Sequence, residues 1–182
     1  MLMDNGPPWG TKGRPGYTSL EVWLMWLGIA VRHGRPRHPE TQGKDERFHR
    51  TLGGDVVRRF VMYDLAEAQA TFDWYRPRYN EIRPHEAIGL DVPASRFRPS
   101  ERPMPPRLPE IAYDNDGDAV RKAQDGGWIH YKGREWRISK AFHKLPLAIR
   151  ATEKDGEMAV YFCRFRVAVL DLRGGTVRLD RG

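Results

Sequence analysis

The feature that most restricts how this chain can fold is a run of five prolines within the twelve residues from Arg98 to Pro109. Proline fixes φ and lacks a backbone N–H, so a stretch of this kind is typical of a stiff, solvated linker. Hydrophobic residues recur with helical spacing before the stretch and with a two-residue period after it. The sequence therefore predicts two domains, residues 1–97 and 117–182, joined by a linker at residues 98–116.

The part before the linker is predicted to be mostly helical. Residues 1–16 are rich in glycine and proline and are predicted to form a loop. A first helix is predicted to begin at Thr18 or Ser19, which are favourable N-cap residues, and to end at Gly28. The apolar run Ile29-Ala30-Val31 that follows is predicted to be a short buried strand.

Two further helices are predicted before the linker. Glycine and proline at residues 34–39 favour a mobile loop, and the second helix is expected to run from about Thr41 to Leu52. Gly53-Gly54 is a weak point at its end, because glycine is a poor helix former. Asp64 is predicted to cap the third helix, and a later proline, Pro77, is predicted to kink or end it.

The part after the linker is predicted to be all β. Alternating hydrophobicity indicates six short strands, at residues 120–122, 128–131, 134–138, 147–150, 158–162 and 166–170. Glycine-containing turns separate several of them. So many short strands in about 60 residues favour a small closed barrel, because an open sheet would leave its edges unprotected. The predicted fold class is therefore α/β plus all-β, with a small SH3-like β-barrel at the end.

The composition indicates the type of partner and the compartment. The formal net charge is +7, and most of the cations are arginines, which form bidentate pairs with phosphate. Charge alone leaves both nucleic-acid binding and a mildly basic soluble protein open. No apolar run reaches the roughly 18 residues of a membrane span, and Met1 does not begin a signal peptide. The single cysteine, Cys163, excludes an intramolecular disulfide, so a cytoplasmic protein that does not enter membranes is expected.

Two acidic residues lie in short sequence motifs that suggest a metal-dependent catalytic site. Asp4 begins the sequence Asp-Asn-Gly, and Glu46 lies in the sequence Gly-Lys-Asp-Glu-Arg on the first turns of the second predicted helix. Carboxylates on neighbouring elements supply the hard oxygen ligands that Mg²⁺ prefers. Two such ions can activate a water or a 3′-hydroxyl and stabilise the leaving oxygen in phosphoryl transfer.

These motifs resemble those of the DDE transposases of bacterial insertion sequences, which are similar to retroviral integrases. The resemblance covers Asp4-Asn5-Gly6, the segment from Pro39 to Arg47, the Tyr-Asn-Glu-Ile-Arg-Pro-His segment that starts at Tyr79, and the β-domain. Asp-Asn-Gly alone is a common turn, whereas the glutamate and Arg-Pro-His segments in this order are specific. The resemblance implies the last part of an RNase H-like integrase core, followed by a DNA-binding β-barrel.

The function implied by the resemblance is DNA transposition, with phosphoryl transfer at transposon ends and target DNA. Asp4 and Glu46 would be catalytic residues and ligands of Mg²⁺ or Mn²⁺, DNA would be the partner, and a homo-oligomer is expected. The family's first catalytic aspartate lies on a strand ahead of Asp-Asn-Gly, so this chain alone is expected to bind metal weakly and to be inactive. The alternative is a catalytically inactive transposase remnant that acts as a DNA-binding or oligomerisation module.

Two glutamates compete for the catalytic assignment. The usual spacing in the family points to Glu40, which 35 residues separate from Asp4. Glu46, with 41 residues between, matches the motif itself, whereas Glu40 follows a proline where the family has glutamine. A longer loop at residues 10–16 would account for the six additional residues. Glu46 is therefore the predicted catalytic glutamate.

Basic residues near these motifs are candidate DNA contacts, although solvated surface charge is the alternative for each of them. Arg83 and His85 of the Arg-Pro-His segment are predicted to order the polypeptide after the third helix rather than to act in catalysis. The predicted DNA-binding residues are Lys44, Arg47 and Arg50 around Glu46, and Arg134, Arg137 and Arg150 in the β-domain.

Overall fold

The computed structural model describes residues 1–34 and 43–180. Contacts divide the chain into two compact units: the first contains Met1–His38 and Pro105–Gly182, and the second contains Pro39–Met104. The first unit therefore combines the N-terminal segment with the β-domain, a different division from the one predicted from the sequence, which stays a prediction. The predicted loop at residues 35–39, Glu40 and the start of the second helix lie outside the described residues.

The first helix of the first unit, α1, spans Ser19–Trp26. Thr18 is its N-cap and forms a capping box with Glu21, in which each side chain accepts a hydrogen bond from the other residue's backbone N–H. Gly28 follows the helix with φ of +73°, a left-handed conformation that glycine adopts without strain. Both predicted ends of this helix are confirmed.

The prediction of a buried strand at Ile29-Ala30-Val31 is wrong. Ala30 is exposed, and its carbonyl accepts a hydrogen bond from the Met1 ammonium at 2.6 Å. The strand β2 begins later, at Arg32–His33, and pairs in parallel with β1 at Leu2–Met3, within the predicted N-terminal loop. A short apolar run does not specify a strand, because pairing depends on backbone groups that periodicity does not reveal.

The remainder of the first unit is antiparallel β-structure. Its strands span Ala119–Lys122 (β3), Trp128–Tyr131 (β4), Arg134–Arg137 (β5), Pro146–Ala151 (β6), Glu157–Phe162 (β7), Phe165–Asp171 (β8) and Thr176–Leu179 (β9). Strands β3, β6, β7, β8 and β9 form one five-stranded sheet in that order, and β4 and β5 form a separate hairpin. All six predicted strands are confirmed in position. The strand β9 was not predicted, although Gly174-Gly175 is a turn signal before it and its own residues alternate between polar and apolar. Two 3₁₀ turns, Asp125–Gly127 and Lys140–Phe142, flank the hairpin.

The five-stranded sheet has two edges, β3 and β9, which do not pair with each other in the described part of the chain. The hairpin contacts both edges, since β4 lies against β3 and β5 lies against β9. From β5, Arg134 also donates a hydrogen bond to the carbonyl of Leu172 at 3.1 Å. Closure into an SH3-like barrel stays a prediction.

The hydrophobic core of the first unit includes side chains of α1. Val22 and Met25 belong to the same buried cluster as Phe142 and Phe162 of the β-domain. Trp26 packs edge-on against Phe162, with ring centroids 6.0 Å apart. Burial of this kind is the main stabilising term in folding, so α1 is an integral part of the unit that contains the β-domain. Sequence reasoning did not predict this packing.

The second unit is helical. Its elements are α2 (Gly43–Leu52), π-helical Gly53–Val57, α3 (Leu65–Pro77), π-helical Arg78–Ile82, and 3₁₀ turns Glu86–Ile88 and Pro93–Ser95. Asp64 caps α3 as predicted by accepting from the N–H of Glu67, and Pro77 is the last α-helical residue before a π-helical turn. Gly53-Gly54, the predicted weak point, lies where the α-helical pattern of α2 changes to a π-helical turn. None of the helices in the described ranges is long and apolar enough to cross a bilayer.

Candidate functional site

Asp4 lies directly after β1 with its side chain exposed. Its Oδ1 accepts a hydrogen bond from the backbone N–H of Asn5 at 2.7 Å, and the Asn5 side chain donates to the carbonyl of Gly34 at 2.8 Å. The loop then folds back, so that a Cβ atom at Gly10 would lie 2.7 Å from the carbonyl oxygen of Asn5. The Asp-Asn-Gly turn is therefore tied to the end of β2, with the carboxylate directed into solvent.

A histidine and a buried glutamate brace the backbone of Asp4. His33 Nδ1 lies 2.9 Å from the Asp4 carbonyl oxygen, and its Nε2 lies 2.8 Å from Glu21 Oε1. The Glu21 side chain is only 7% exposed and also accepts from the N–H of Thr18 in the capping box. The brace therefore joins α1, β2 and the candidate catalytic turn. Sequence reasoning missed His33, which has no motif, and Glu21, whose only signal is the capping box.

Glu46 lies on the first turns of α2 in the second unit and is exposed. Lys44, Arg47 and Arg50 lie on the same helix and are exposed as well, and α2 has no buried residue. The helix therefore presents a carboxylate surrounded by cations to solvent, an arrangement that suits a phosphate backbone.

The two candidate catalytic carboxylates belong to different compact units, Asp4 to the first and Glu46 to the second. Among residues 1–34 and 43–180, no group of three or more histidine, cysteine, aspartate or glutamate side chains is placed to hold a metal ion. The convergence of Asp4 and Glu46 on one ion stays a prediction.

Arg83 of the Arg-Pro-His segment forms an ion pair within the second unit. Its Nη1 lies 2.5 Å from Asp55 Oδ2, which also accepts from the Tyr75 hydroxyl at 3.1 Å. Burial and the neighbouring Asp55 carboxylate raise the pKa of Tyr75. Because Asp55 lies in the π-helical turn after α2, Arg83 ties the segment that follows α3 to the end of α2.

His85 is connected through Tyr79 to the helix that carries Glu46. Its ring meets Tyr79 edge-on at 5.0 Å, and Tyr79 in turn meets Phe48 of α2 at 5.1 Å. Its backbone N–H donates to the carbonyl of Asp91 at 2.9 Å, while its buried Nε2 has no partner among the described residues. These contacts agree with the predicted ordering role of the segment.

The candidate DNA-binding arginines of the β-domain differ in their surroundings. Arg134 and Arg137 are exposed on β5. Arg150 instead donates two hydrogen bonds to the carboxylate of Asp118, at 2.8 and 2.9 Å, and its guanidinium lies 4.7 Å from the ring centroid of Tyr161. Arg150 therefore has fewer donors left for phosphate than its neighbours, and sequence reasoning did not find its partner.

The ion pair between Asp118 and Arg150 affects the titration of both groups. The Asp118 side chain is 1% exposed, and hydrogen bonds from Arg150 lower its pKa below the usual value for aspartate. The same contact raises the pKa of Arg150. A carboxyl whose pKa is lower in the folded state contributes stability above its unfolded pKa and loses it as the pH falls through the folded value.

Replacing Asp118 by asparagine is therefore expected to lower the melting temperature at neutral pH by several degrees. The difference from the wild type should begin to shrink below about pH 4, where the unfolded carboxyl takes up a proton, and should disappear once the pH falls through the lowered pKa of the folded state. Thermal unfolding across a pH series measures this. Asp116→Asn, which changes an exposed carboxylate close by, is the control. A difference that stays constant down to pH 2 would show that the charge of Asp118 is not the cause.

Two families of known proteins match the chain. Residues 27–93 match the integrase core domain, a class for which an RNase H-like fold is expected. Residues 118–178 match the C-terminal domain of IS481 family transposases. Together the two matches support an insertion-sequence transposase of the integrase-like superfamily, in its C-terminal portion. Transposase and integrase domains support a role in DNA transposition in general, the transposase family implies DNA binding, and integrase core domains generally use divalent metal ions.

Proposed function

We propose that this chain supplies Asp4 and Glu46 to a site of Mg²⁺- or Mn²⁺-dependent phosphoryl transfer at transposon ends and target DNA. The observation that supports this most is the exposed carboxylate of Asp4 on a turn whose backbone is fixed by His33 and Asn5. Its oxygens are the type of ligand that these ions take. A bound divalent ion would supply Lewis-acid activation of the attacking oxygen.

The chain's own residues would position the DNA. Lys44, Arg47 and Arg50 would neutralise phosphates beside Glu46, while Arg134 and Arg137 would hold a duplex on the β-domain without reading its sequence. Arg150 would add positive potential, with its direct phosphate contacts reduced by Asp118. In this proposal the second unit is the end of an RNase H-like core, and the β-domain is an SH3-like barrel.

A homo-oligomer is also part of this proposal. Exposed apolar side chains just before α3 and at its first residue support it: Val61, Tyr63 and Leu65 are 74%, 84% and 88% exposed. Adjacent exposed apolar side chains mark protein–protein interfaces more often than isolated ones do.

The second candidate function is a non-catalytic module for DNA binding or oligomerisation. It is favoured by one observation: the β-domain and α1 share a hydrophobic core that contains neither Asp4 nor Glu46. An assay of Mg²⁺-dependent strand transfer with the Glu46→Gln variant separates the two functions, because only the catalytic proposal requires that carboxylate.

For DNA binding, replacing Arg134 and Arg137 together by alanine is expected to lower affinity about equally on unrelated duplexes. The slope of log K against log salt should become shallower by about 2, since each lost phosphate contact removes about 0.9. Fluorescence anisotropy over a salt series measures both quantities. Arg173→Ala is the control, because Arg173 is already paired with Asp155. A loss confined to one duplex sequence would mean that these arginines read bases.

A further inference from the structure

A cleft separates the loop that follows Asp4 from the β-domain. Its volume is about 460 Å³, within the roughly 300–1,000 Å³ that is typical of sites for small ligands. One wall is the loop from Pro7 to Thr18, and the other comprises the end of β5, the turn at Ser139-Lys140, and β9. All of these elements belong to the first unit.

The floor of the cleft is fixed by hydrogen bonds between its two walls. Ser139 Oγ accepts from the N–H of Tyr17 at 2.9 Å and lies 3.3 Å from the Tyr17 carbonyl oxygen. Ser139 is only 7% exposed, and a Cβ atom at Gly127 would lie 2.0 Å from its carbonyl oxygen, so only glycine fits there. A cleft whose floor is already rigid loses little conformational entropy when a ligand binds, so less of the binding free energy is spent on ordering the protein.

The lining of the cleft combines positive charge with apolar surface. Arg14, Arg137 and Lys140 line it, and none of the described residues in the lining is acidic. Arg14 also interacts within the chain, whereas Arg137 and Lys140 are exposed. Apolar lining comes from both walls and includes Val177 and Leu179 of β9. Cations beside apolar surface suit a nucleotide chain, whose phosphates are charged and whose bases are flat and weakly polar.

We propose that this cleft binds an unpaired segment of DNA. A cleft of about 460 Å³ is too small to enclose a duplex, which would bring only its phosphates to the rim, whereas a single strand can enter with its bases against the apolar lining. The inference rests on the proposed function, namely that the chain acts on DNA, and it adds a strand-end site to it. The loop of the cleft is continuous with the candidate catalytic turn: the N–H of Lys12 donates to the carbonyl of Asn5 at 2.8 Å. A strand end in the cleft would therefore be held by the loop that begins at Asp4.

The test compares a labelled single strand of about 15 nucleotides with a duplex of the same length by fluorescence anisotropy. Lys140→Ala is expected to weaken single-strand binding by about fivefold, and Lys140→Glu by more, while duplex affinity changes less than about twofold. Lys122→Ala, at an exposed lysine on β3 outside the cleft, is the matched control and should change neither affinity. Arg134→Ala should weaken duplex binding and leave single-strand binding nearly unchanged. Lys140 is used rather than Arg137, because Arg137 belongs to both proposed surfaces.

The possible outcomes separate the two proposals. If Lys140 substitutions leave single-strand affinity unchanged while Arg134→Ala still weakens duplex binding, the cleft proposal fails and the DNA-binding proposal stands. An equal loss on both forms of DNA would also overturn the cleft proposal, since Lys140 would then be part of a general basic surface. If the wild-type chain binds neither form, both proposals fail. Melting temperatures close to that of the wild type confirm that each variant is folded.

Discussion

Glu46→Gln is expected to abolish Mg²⁺-dependent strand transfer, by roughly a hundredfold or more, whereas Glu40→Gln should leave most of the activity. Glutamine keeps the size of the side chain and loses the charge that a divalent ion requires. The assay uses the whole chain fused behind an integrase-core segment that supplies the first aspartate, with labelled transposon-end DNA. Asp4→Asn should cause a loss of similar size, since both carboxylates are proposed to hold the same metal site.

Asp45→Asn is the matched control for Glu46→Gln, because Asp45 is an exposed carboxylate on the same turn of α2. Since α2 buries none of its residues, both substitutions should leave the melting temperature nearly unchanged, and a lost activity then reports on chemistry. The opposite result, in which Glu40→Gln abolishes transfer and Glu46→Gln does not, would mean that spacing identifies the catalytic glutamate and the sequence motif does not.

Met25→Ala is expected to lower the free energy of unfolding of the first unit by roughly 2–5 kcal/mol. Met25 is 6% exposed and belongs to the same buried cluster as Phe142, so truncation leaves a cavity in the core shared by α1 and the β-domain. Urea denaturation followed by circular dichroism of the β-structure measures the change.

Ser19→Ala provides the comparison on the same helix, because Ser19 is exposed and its substitution should cost less than about 1 kcal/mol. A second measurement uses residues 105–180 without the N-terminal segment. If that polypeptide unfolded as cooperatively as the whole chain, and at the same urea concentration, α1 would not be part of the core.

Local signals predicted most of the secondary structure. The capping residues Thr18 and Asp64 and the glycine after α1 mark helix ends through hydrogen bonds with immediate neighbours, so sequence reasoning located them. The packing of α1 on the β-domain is different, because Val22 and Phe142 are far apart in the sequence. Hydrophobic periodicity shows that a helix face is buried but not which surface covers it.

The candidate site shows the same limit. Motif resemblance gave Asp4 and Glu46 as candidates, and this assignment stays a prediction. It did not indicate the His33–Glu21 brace, because a lone histidine on a strand has no pattern around it. The sequence groups Arg150 with Arg134 and Arg137 as candidate DNA contacts, because a charge pattern does not reveal that Asp118, 32 residues away, is the partner of Arg150. Interactions between distant residues depend on the tertiary fold, which local sequence does not specify.

The contacts of Tyr17 also set an order of events during synthesis. Its hydroxyl donates to the carbonyl of Val167 at 2.9 Å and also contacts that of Asp180, which lie 150 and 163 residues further along the chain. Domains generally fold as the ribosome releases them, and contacts between distant residues form late. The end of this loop at Tyr17 therefore gains these anchors only after β8 and β9 have emerged. A nascent chain would have the loop between Asp4 and α1 in its final form only once both of these strands have been synthesised.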